Sequence, residues 1–180
     1  MKYNVSLTLV LLLLLTGCEG GKDKPLSGTV TITSELFGTG PYYSFGFSFS
    51  GADKVSTLDL PGPDVTVLAG DIHNDGVDLI ESFLGANTLE PPFALMGEYG
   101  TETDAVAAFN ALTSAGTPQW KDLGAPLRNY QVWVIRTREG KYAKIVTTDV
   151  TLNKTVTPAF ASCTFRWVYQ PDGSSTFPGS

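Results

Sequence analysis

Residues 132–145 read VWVIRTREGKYAKI, and this stretch decides the fold class. Val, Ile and aromatic side chains, which favour strands, flank the tripeptide Arg138-Glu139-Gly140 on both sides. Gly140 can adopt the positive φ that a tight hairpin turn requires. The pattern therefore predicts a hairpin of two antiparallel strands, over residues 130–137 and 142–148.

Similar strand patterns occur on either side of this hairpin. They lie at residues 28–34 and 65–68, at Phe93–Glu98 and at residues 160–169, and the 19 glycines and 11 prolines of the chain supply turns between them. The apolar spacing of residues 77–84 fits a helix or an extended segment. The chain is therefore predicted to form one mainly β, antiparallel domain.

One helix is predicted, at about residues 102–114. Thr101 can cap its first turn, Asp104 lies at the third helical position, and Gly116 can end it. Val106, Phe109 and Leu112 share one side of this Ala-rich segment, so we expect the helix to pack across the sheet.

Alternating aromatic side chains mark another strand. Tyr43, Phe45, Phe47 and Phe49 alternate with small residues, which places four rings on one face. That face can belong to the hydrophobic core, or it can form the aromatic wall of a ligand pocket.

The first 18 residues carry the features of an export signal. Lys2 is followed by an apolar run over residues 5–15, which is too short to span a hydrocarbon core of about 30 Å. Leu15-Thr16-Gly17-Cys18 resembles the lipobox of bacterial lipoproteins. The resemblance implies a lipoprotein signal peptide at residues 1–17 and a lipid anchor on Cys18.

The residues after Cys18 predict how the domain is attached. Residues 18–27 are Gly-rich and charged, which is typical of a flexible tether, and residues 28–180 form the folded domain. Glu19 stands where some inner-membrane lipoproteins have aspartate, so the outer membrane is favoured, on its periplasmic or cell-surface face. With a net charge of −6 and no basic cluster, nucleic acid is not an expected partner.

Two segments carry a family resemblance. The hairpin at residues 132–145 and the sequence FRWVYQPDGSSTF at residues 165–177 resemble the C-terminal part of the HmuY-like family of β-rich lipoproteins, whose founding members bind haem. The resemblance covers residues 130–177. It implies an HmuY-like single domain with one packed helix, and a ligand that is haem or another apolar small molecule.

Iron ligands are scarce in this chain. His73 is the single histidine, and Met96 is the single methionine beyond the signal peptide. Imidazole and thioether both ligate haem iron, so His73 and Met96 are candidate haem ligands. The alternatives are a solvent-facing His73 with a packed Met96, or two copies of His73 that hold one haem between subunits.

Other motifs are weaker. Asp71, Asp75 and Gly76 match three positions of a calcium-binding EF-hand loop, but the twelfth position is Ser82 where a glutamate is required, and a simple turn explains the glycine equally well. Cys163 is expected to be a buried residue. No nucleophile and base pair is evident, so no catalysis is expected.

Two functions remain open on the sequence. The first is a lipid-anchored lipoprotein that binds haem or another apolar ligand in its domain. The second is a non-catalytic lipoprotein that contacts another envelope protein and binds no small molecule.

Overall fold

The structure is a computed structural model, and it describes residues 24–38, 44–74 and 77–177. These residues form nine strands and one helix. In chain order they are β1 (Ser27–Thr33), β2 (Phe45–Ser48), β3 (Asp53–Ser56), β4 (Thr66–Asn74), β5 (Val77–Gly85), β6 (Phe93–Glu98), α1 (Glu102–Ala111), β7 (Gln131–Arg136), β8 (Tyr142–Asn153) and β9 (Phe160–Gln170). The predicted mainly β fold with one helix is confirmed.

Seven strands form one antiparallel sheet in the order β3-β2-β1-β9-β8-β7-β6. Its first and last strands in sequence, β1 and β9, are neighbours, with Ser27 opposite Val168 and Thr33 opposite Ser162. The strands β4 and β5 pair separately as a two-stranded hairpin. All of these pairs are antiparallel, as expected.

The seven-stranded sheet is covered on both faces. Along β9, side chains alternate, so that Phe165 and Trp167 join the core beneath the β4–β5 hairpin, whereas Val168 packs with Phe109 of α1 on the opposite face. The domain therefore has three layers: the β4–β5 hairpin, the large sheet, and the helix. Because the central strands are buried on both faces, β7 is an almost continuous apolar run.

The hairpin at residues 132–145 forms as predicted. Gly140 has a φ of +72°, and the Thr137 amide donates a hydrogen bond of 2.8 Å to the carbonyl of Lys141. The strand β8 continues to Asn153, beyond the predicted end at residue 148, because β9 pairs along its whole length.

The helix begins where it was predicted but ends early, at Ala111 rather than at residue 114. Thr101 caps it by accepting a hydrogen bond of 3.2 Å from the Asp104 amide. After Leu112 the chain instead pairs with the C-terminal segment, where the Phe177 amide donates to the Thr113 carbonyl at 2.9 Å. Tertiary pairing thus overrides the helical preference of these residues.

The structure decides one open alternative and corrects one predicted boundary. Residues 77–84, which fit either state on the sequence, lie in the strand β5, and β4 extends to Asn74 although it was predicted to end at residue 68. The short edge strand β3 was not predicted. Among the described residues, no helix has the length and apolar character needed to cross a bilayer.

A lysine lies in the core beneath the helix. Lys144 of β8 has no solvent exposure, and its Nζ donates hydrogen bonds to the carbonyls of Phe109 (2.8 Å) and Leu112 (2.9 Å). Phe109 lies in the last turn of α1 and Leu112 is its C-terminal capping residue, where carbonyls have few partners within the helix. Burial lowers the pKa of the Lys144 amine. The side chain thus joins the C-terminus of α1 to the sheet.

Candidate ligand-binding cleft

A cleft of about 770 Å³ opens beside the β4–β5 hairpin. The hairpin supplies Leu68 and Ala69, and the connections that precede and follow the strands supply the other walls. This volume falls within the range of about 300–1,000 Å³ that is usual for small-molecule sites.

The lining of the cleft is mainly apolar. Its larger apolar side chains come from segments far apart in the sequence, and they include Leu36, Leu60, Pro63, Leu68, Leu123 and Pro158. Hydroxyl and amide groups, such as those of Ser34 and Asn87, are interspersed. A few polar groups on an apolar wall are the usual arrangement of a ligand site, where the polar groups fix orientation.

Sheet topology gives the cleft two different ends. Arg138 belongs to the β7–β8 turn, at the end of the sheet where β1 begins. Ser34 follows β1 and Pro158 precedes β9, so both lie at the opposite end. The cleft therefore runs along the strand direction, with Arg138 towards one end and Leu36 and Pro158 towards the other.

The backbone of Arg138 is held in place by a buried carboxylate. Asp64 is 5% exposed, and its two carboxylate oxygens accept hydrogen bonds from the amides of Phe49 (2.9 Å) and Arg138 (3.3 Å). The guanidinium of Arg138, in contrast, makes no ion pair or hydrogen bond with any described residue. It is also the one cationic group that the described residues contribute to the lining.

Burial shapes the electrostatics beneath Arg138. It raises the pKa of the Asp64 carboxyl, and the two backbone hydrogen bonds and the charge of Arg138 oppose this effect. Burial also raises the pKa of Tyr169 to about 12, with smaller contributions from Glu139 and Asp64. The charge of Arg138 therefore favours the ionised form of Asp64.

The aromatic strand serves the core and not the cleft. Phe47 and Phe49 are 2% and 1% exposed, and Phe47 lies 5.1 Å from the ring of Trp167. Phe45 is 38% exposed and contacts Phe37, at 4.7 Å between ring centroids. None of these three rings lines the cleft. Tyr43 lies outside the described residues.

The two candidate haem ligands are in different strands. His73 is in β4, part of the hairpin layer, although its side chain lies outside the description. Met96 is the extra residue of a bulge in β6, and it packs near Phe109 on the helix face of the large sheet. Met96 is not among the described residues that line the cleft.

The calcium hypothesis finds no support in the backbone. Of the twelve residues that were compared with an EF-hand, residues 71–74 lie in β4 and residues 77–82 in β5, and these two segments pair as antiparallel strands. Asp75 itself lies outside the described residues. No cluster of three or more metal-ligating side chains occurs in the described part of the chain.

The two cysteines differ in what the structure shows. Cys163 is a free thiol with no exposure, as predicted, and burial raises its pKa, so it is unreactive. Cys18, the signal peptide at residues 1–17 and most of the tether precede the described residues.

The cleft residues were not predicted as a site. Leu60, Pro63 and Pro158 stand in connections and match no motif, and Arg138 was assigned only to a turn. The sequence offered one signal for the cleft, which is Leu60 next to Pro61. An apolar side chain in a turn is unusual.

No family model, curated protein or solved structure matches this chain.

Proposed function

We propose that this chain is a non-catalytic, lipid-anchored binding protein of the outer membrane, and that its cleft holds an apolar small molecule. The apolar cleft of about 770 Å³ is the observation that carries the proposal. The resemblance of residues 130–177 to HmuY-like lipoproteins agrees with a ligand-binding role. The lipobox resemblance at Cys18 supports the anchor, with the domain in the periplasm or at the cell surface.

A neutral apolar probe tests the cleft directly. We expect N-phenyl-1-naphthylamine to bind to the chain from Glu19 to Ser180, which contains every described strand and the helix. Leu68→Asp should weaken this binding by about tenfold or more, because it places an unpaired charge in an apolar wall. The fluorescence of the probe measures the dissociation constant.

Leu95→Asp is the matched control for this experiment. Leu95 is also a partly exposed leucine on a strand, 38% exposed in β6, but it does not line the cleft. Equal weakening by the two substitutions, or no binding to the unmodified chain, would contradict the proposed site.

Haem is a specific candidate ligand, and its spectrum tests ligation separately from binding. The described residues that line the cleft include no histidine, methionine, tyrosine or cysteine. We therefore expect that haem added to the protein gives no low-spin, six-coordinate absorbance, and that iron-free protoporphyrin binds with about the same affinity.

A low-spin spectrum that saturates at two protomers per haem, and that His73→Ala abolishes, would contradict this expectation. It would instead indicate that two copies of His73 ligate one iron between subunits.

An envelope protein partner is the alternative function. Fully exposed leucines favour it, since Leu60 and Leu89 are 97% and 106% exposed and apolar side chains in that state are common at contact surfaces. Leu60 also borders the cleft, so the probe titration separates the two functions. Failure of every neutral probe to bind would favour a protein contact.

A further inference from the structure

We infer that the ligand has an apolar body that lies along the cleft and a carboxylate head that binds Arg138. The inference rests on the proposed binding function, because it names the chemical class of ligand for the same cleft. It rests on two observations. The cleft has an apolar lining, and the guanidinium of Arg138 has no partner among the described residues.

The two ends of the cleft differ in chemistry. Arg138 lines the cleft from the β7–β8 turn, whereas the opposite end has the apolar Leu36 and Pro158 together with the acidic Asp59. A ligand that is apolar throughout would leave the charged end unused. A ligand with one anionic end can place that end at Arg138 and its apolar body against Leu36 and Pro158.

Arg138 is arranged to bind an anion. Its amide is fixed by Asp64, and the turn that carries it is fixed by the hydrogen bond between the Gly140 amide and the Thr137 carbonyl at 2.9 Å. The described residues leave its guanidinium without a partner. The planar, forked guanidinium can donate two parallel hydrogen bonds to one carboxylate.

Two other arginines of the domain are already paired. Arg128 forms an ion pair with Glu81 at 2.8 Å, and Arg136 forms one with Glu90. Arg138, in contrast, lines the cleft. Its guanidinium forms no ion pair with a described carboxylate.

Two acidic groups near Arg138, and a third at the other end of the cleft, affect anion binding. Asp64 is buried, and both of its oxygens accept backbone hydrogen bonds. Glu139 is exposed in the turn. Asp59 is exposed and lines the cleft, where one of its oxygens accepts from the Ser56 amide at 3.2 Å. Since Asp59 repels an anion, its removal should strengthen binding.

Two sources share the inferred chemistry. One is a fatty acid, with a single carboxylate on an acyl chain. The other is a tetrapyrrole such as haem, which has carboxylate side chains on an apolar ring. Parallel titrations distinguish them.

The test compares dodecanoate with dodecanol, both kept below concentrations at which they aggregate, by isothermal titration calorimetry. We expect dodecanoate to bind about tenfold more tightly than dodecanol. Arg138→Gln should remove this preference, and Asp59→Asn should increase it about two- to threefold. Haem is titrated into the same variants.

Arg166→Gln is the matched control. Arg166 is exposed on β9, and the alternation along that strand puts it on the helix face, away from the cleft. It removes the same charge from the protein, so it should leave the preference for dodecanoate unchanged. Circular dichroism confirms that each variant is folded.

The outcomes separate this inference from the proposed function. Equal binding of dodecanoate and dodecanol in the unmodified chain overturns the carboxylate inference and leaves the apolar site intact. Equal loss of both ligands in Arg138→Gln also overturns it. Absence of binding by every ligand overturns the proposed function itself. Binding of haem, but not dodecanoate, that depends on Arg138 identifies the tetrapyrrole as the source.

Discussion

Trp133→Ala is expected to lower the free energy of unfolding by about 3–5 kcal/mol, the usual cost of truncating a large core aromatic residue. Trp133 lies in the interior strand β7 with no exposure. Its Nε1 also donates to the Oε1 of Gln131 at 3.2 Å. The substitution would therefore leave a cavity and remove a donor from the buried Gln131. Urea denaturation measures the change.

Trp120→Ala provides the matched comparison. Trp120 is only partly buried, and its ring lies 4.5 Å below the guanidinium of Arg136. A contact of this kind at an exposed site contributes about 0.5–1 kcal/mol, so this substitution should cost less. An equal loss of unfolding free energy at the two tryptophans would contradict the full burial of Trp133 in the core.

Lys144→Ala is expected to lower the free energy of unfolding by about 3 kcal/mol. It removes the donors to the Phe109 and Leu112 carbonyls, and it leaves a cavity where the side chain crosses the layer between β8 and α1. It also removes the contact of the amine with the Phe109 ring, at 4.7 Å. Urea denaturation at pH 7 measures the loss, and amide hydrogen exchange should show it as faster exchange in α1.

The pH dependence of stability tests the role of the amine itself. Because the pKa of Lys144 is lowered in the folded state, the folded protein releases this proton at a lower pH than the unfolded chain does. The contribution of Lys144 to stability should therefore rise as the pH increases towards the ordinary value of 10.5, and it is lost as the pH falls through the folded pKa.

Lys144→Met keeps most of the apolar stem and removes the titration. Tyr169, with its pKa raised to about 12, has the opposite effect above its ordinary value of 10, but it is present in both proteins and cancels in their difference. The free-energy difference between the unmodified protein and Lys144→Met should change in favour of the unmodified protein as the pH rises towards 10.5. A constant difference would contradict the lowered pKa.

Local patterns were sufficient for most of the fold. The strand β6 has the predicted bounds, because Phe93 and Glu98 are flanked by turn residues on both sides. The Thr101 cap and the Gly140 turn are likewise set by neighbours in the sequence. Errors occur where distant segments decide, as at residues 112–114, where pairing with the C-terminal segment ends the helix.

The candidate site was less accessible to prediction, because no local pattern describes it. Leu36, Leu68 and Pro158 meet only through the topology of the sheet. The aromatic residues at positions 45, 47 and 49 gave a clear alternation, but that alternation specifies which side chains face inward and not whether the inner face holds a ligand. Family resemblance at residues 130–177 concerned the central strands and not the walls of the cleft.

The adjacency of β1 and β9 also determines when the protein can fold. A chain made from its N-terminus can pair β6, β7 and β8 in succession, since these strands lie next to one another in the order of synthesis. The ribbon of β1, β2 and β3 has no place to attach until β9 has emerged, more than 130 residues after Ser27. Such long-range closure is slow. About half of the sheet therefore cannot form before the last strand is made. Until its synthesis is almost complete, the chain stays incompletely folded and extended enough to pass through a narrow pore.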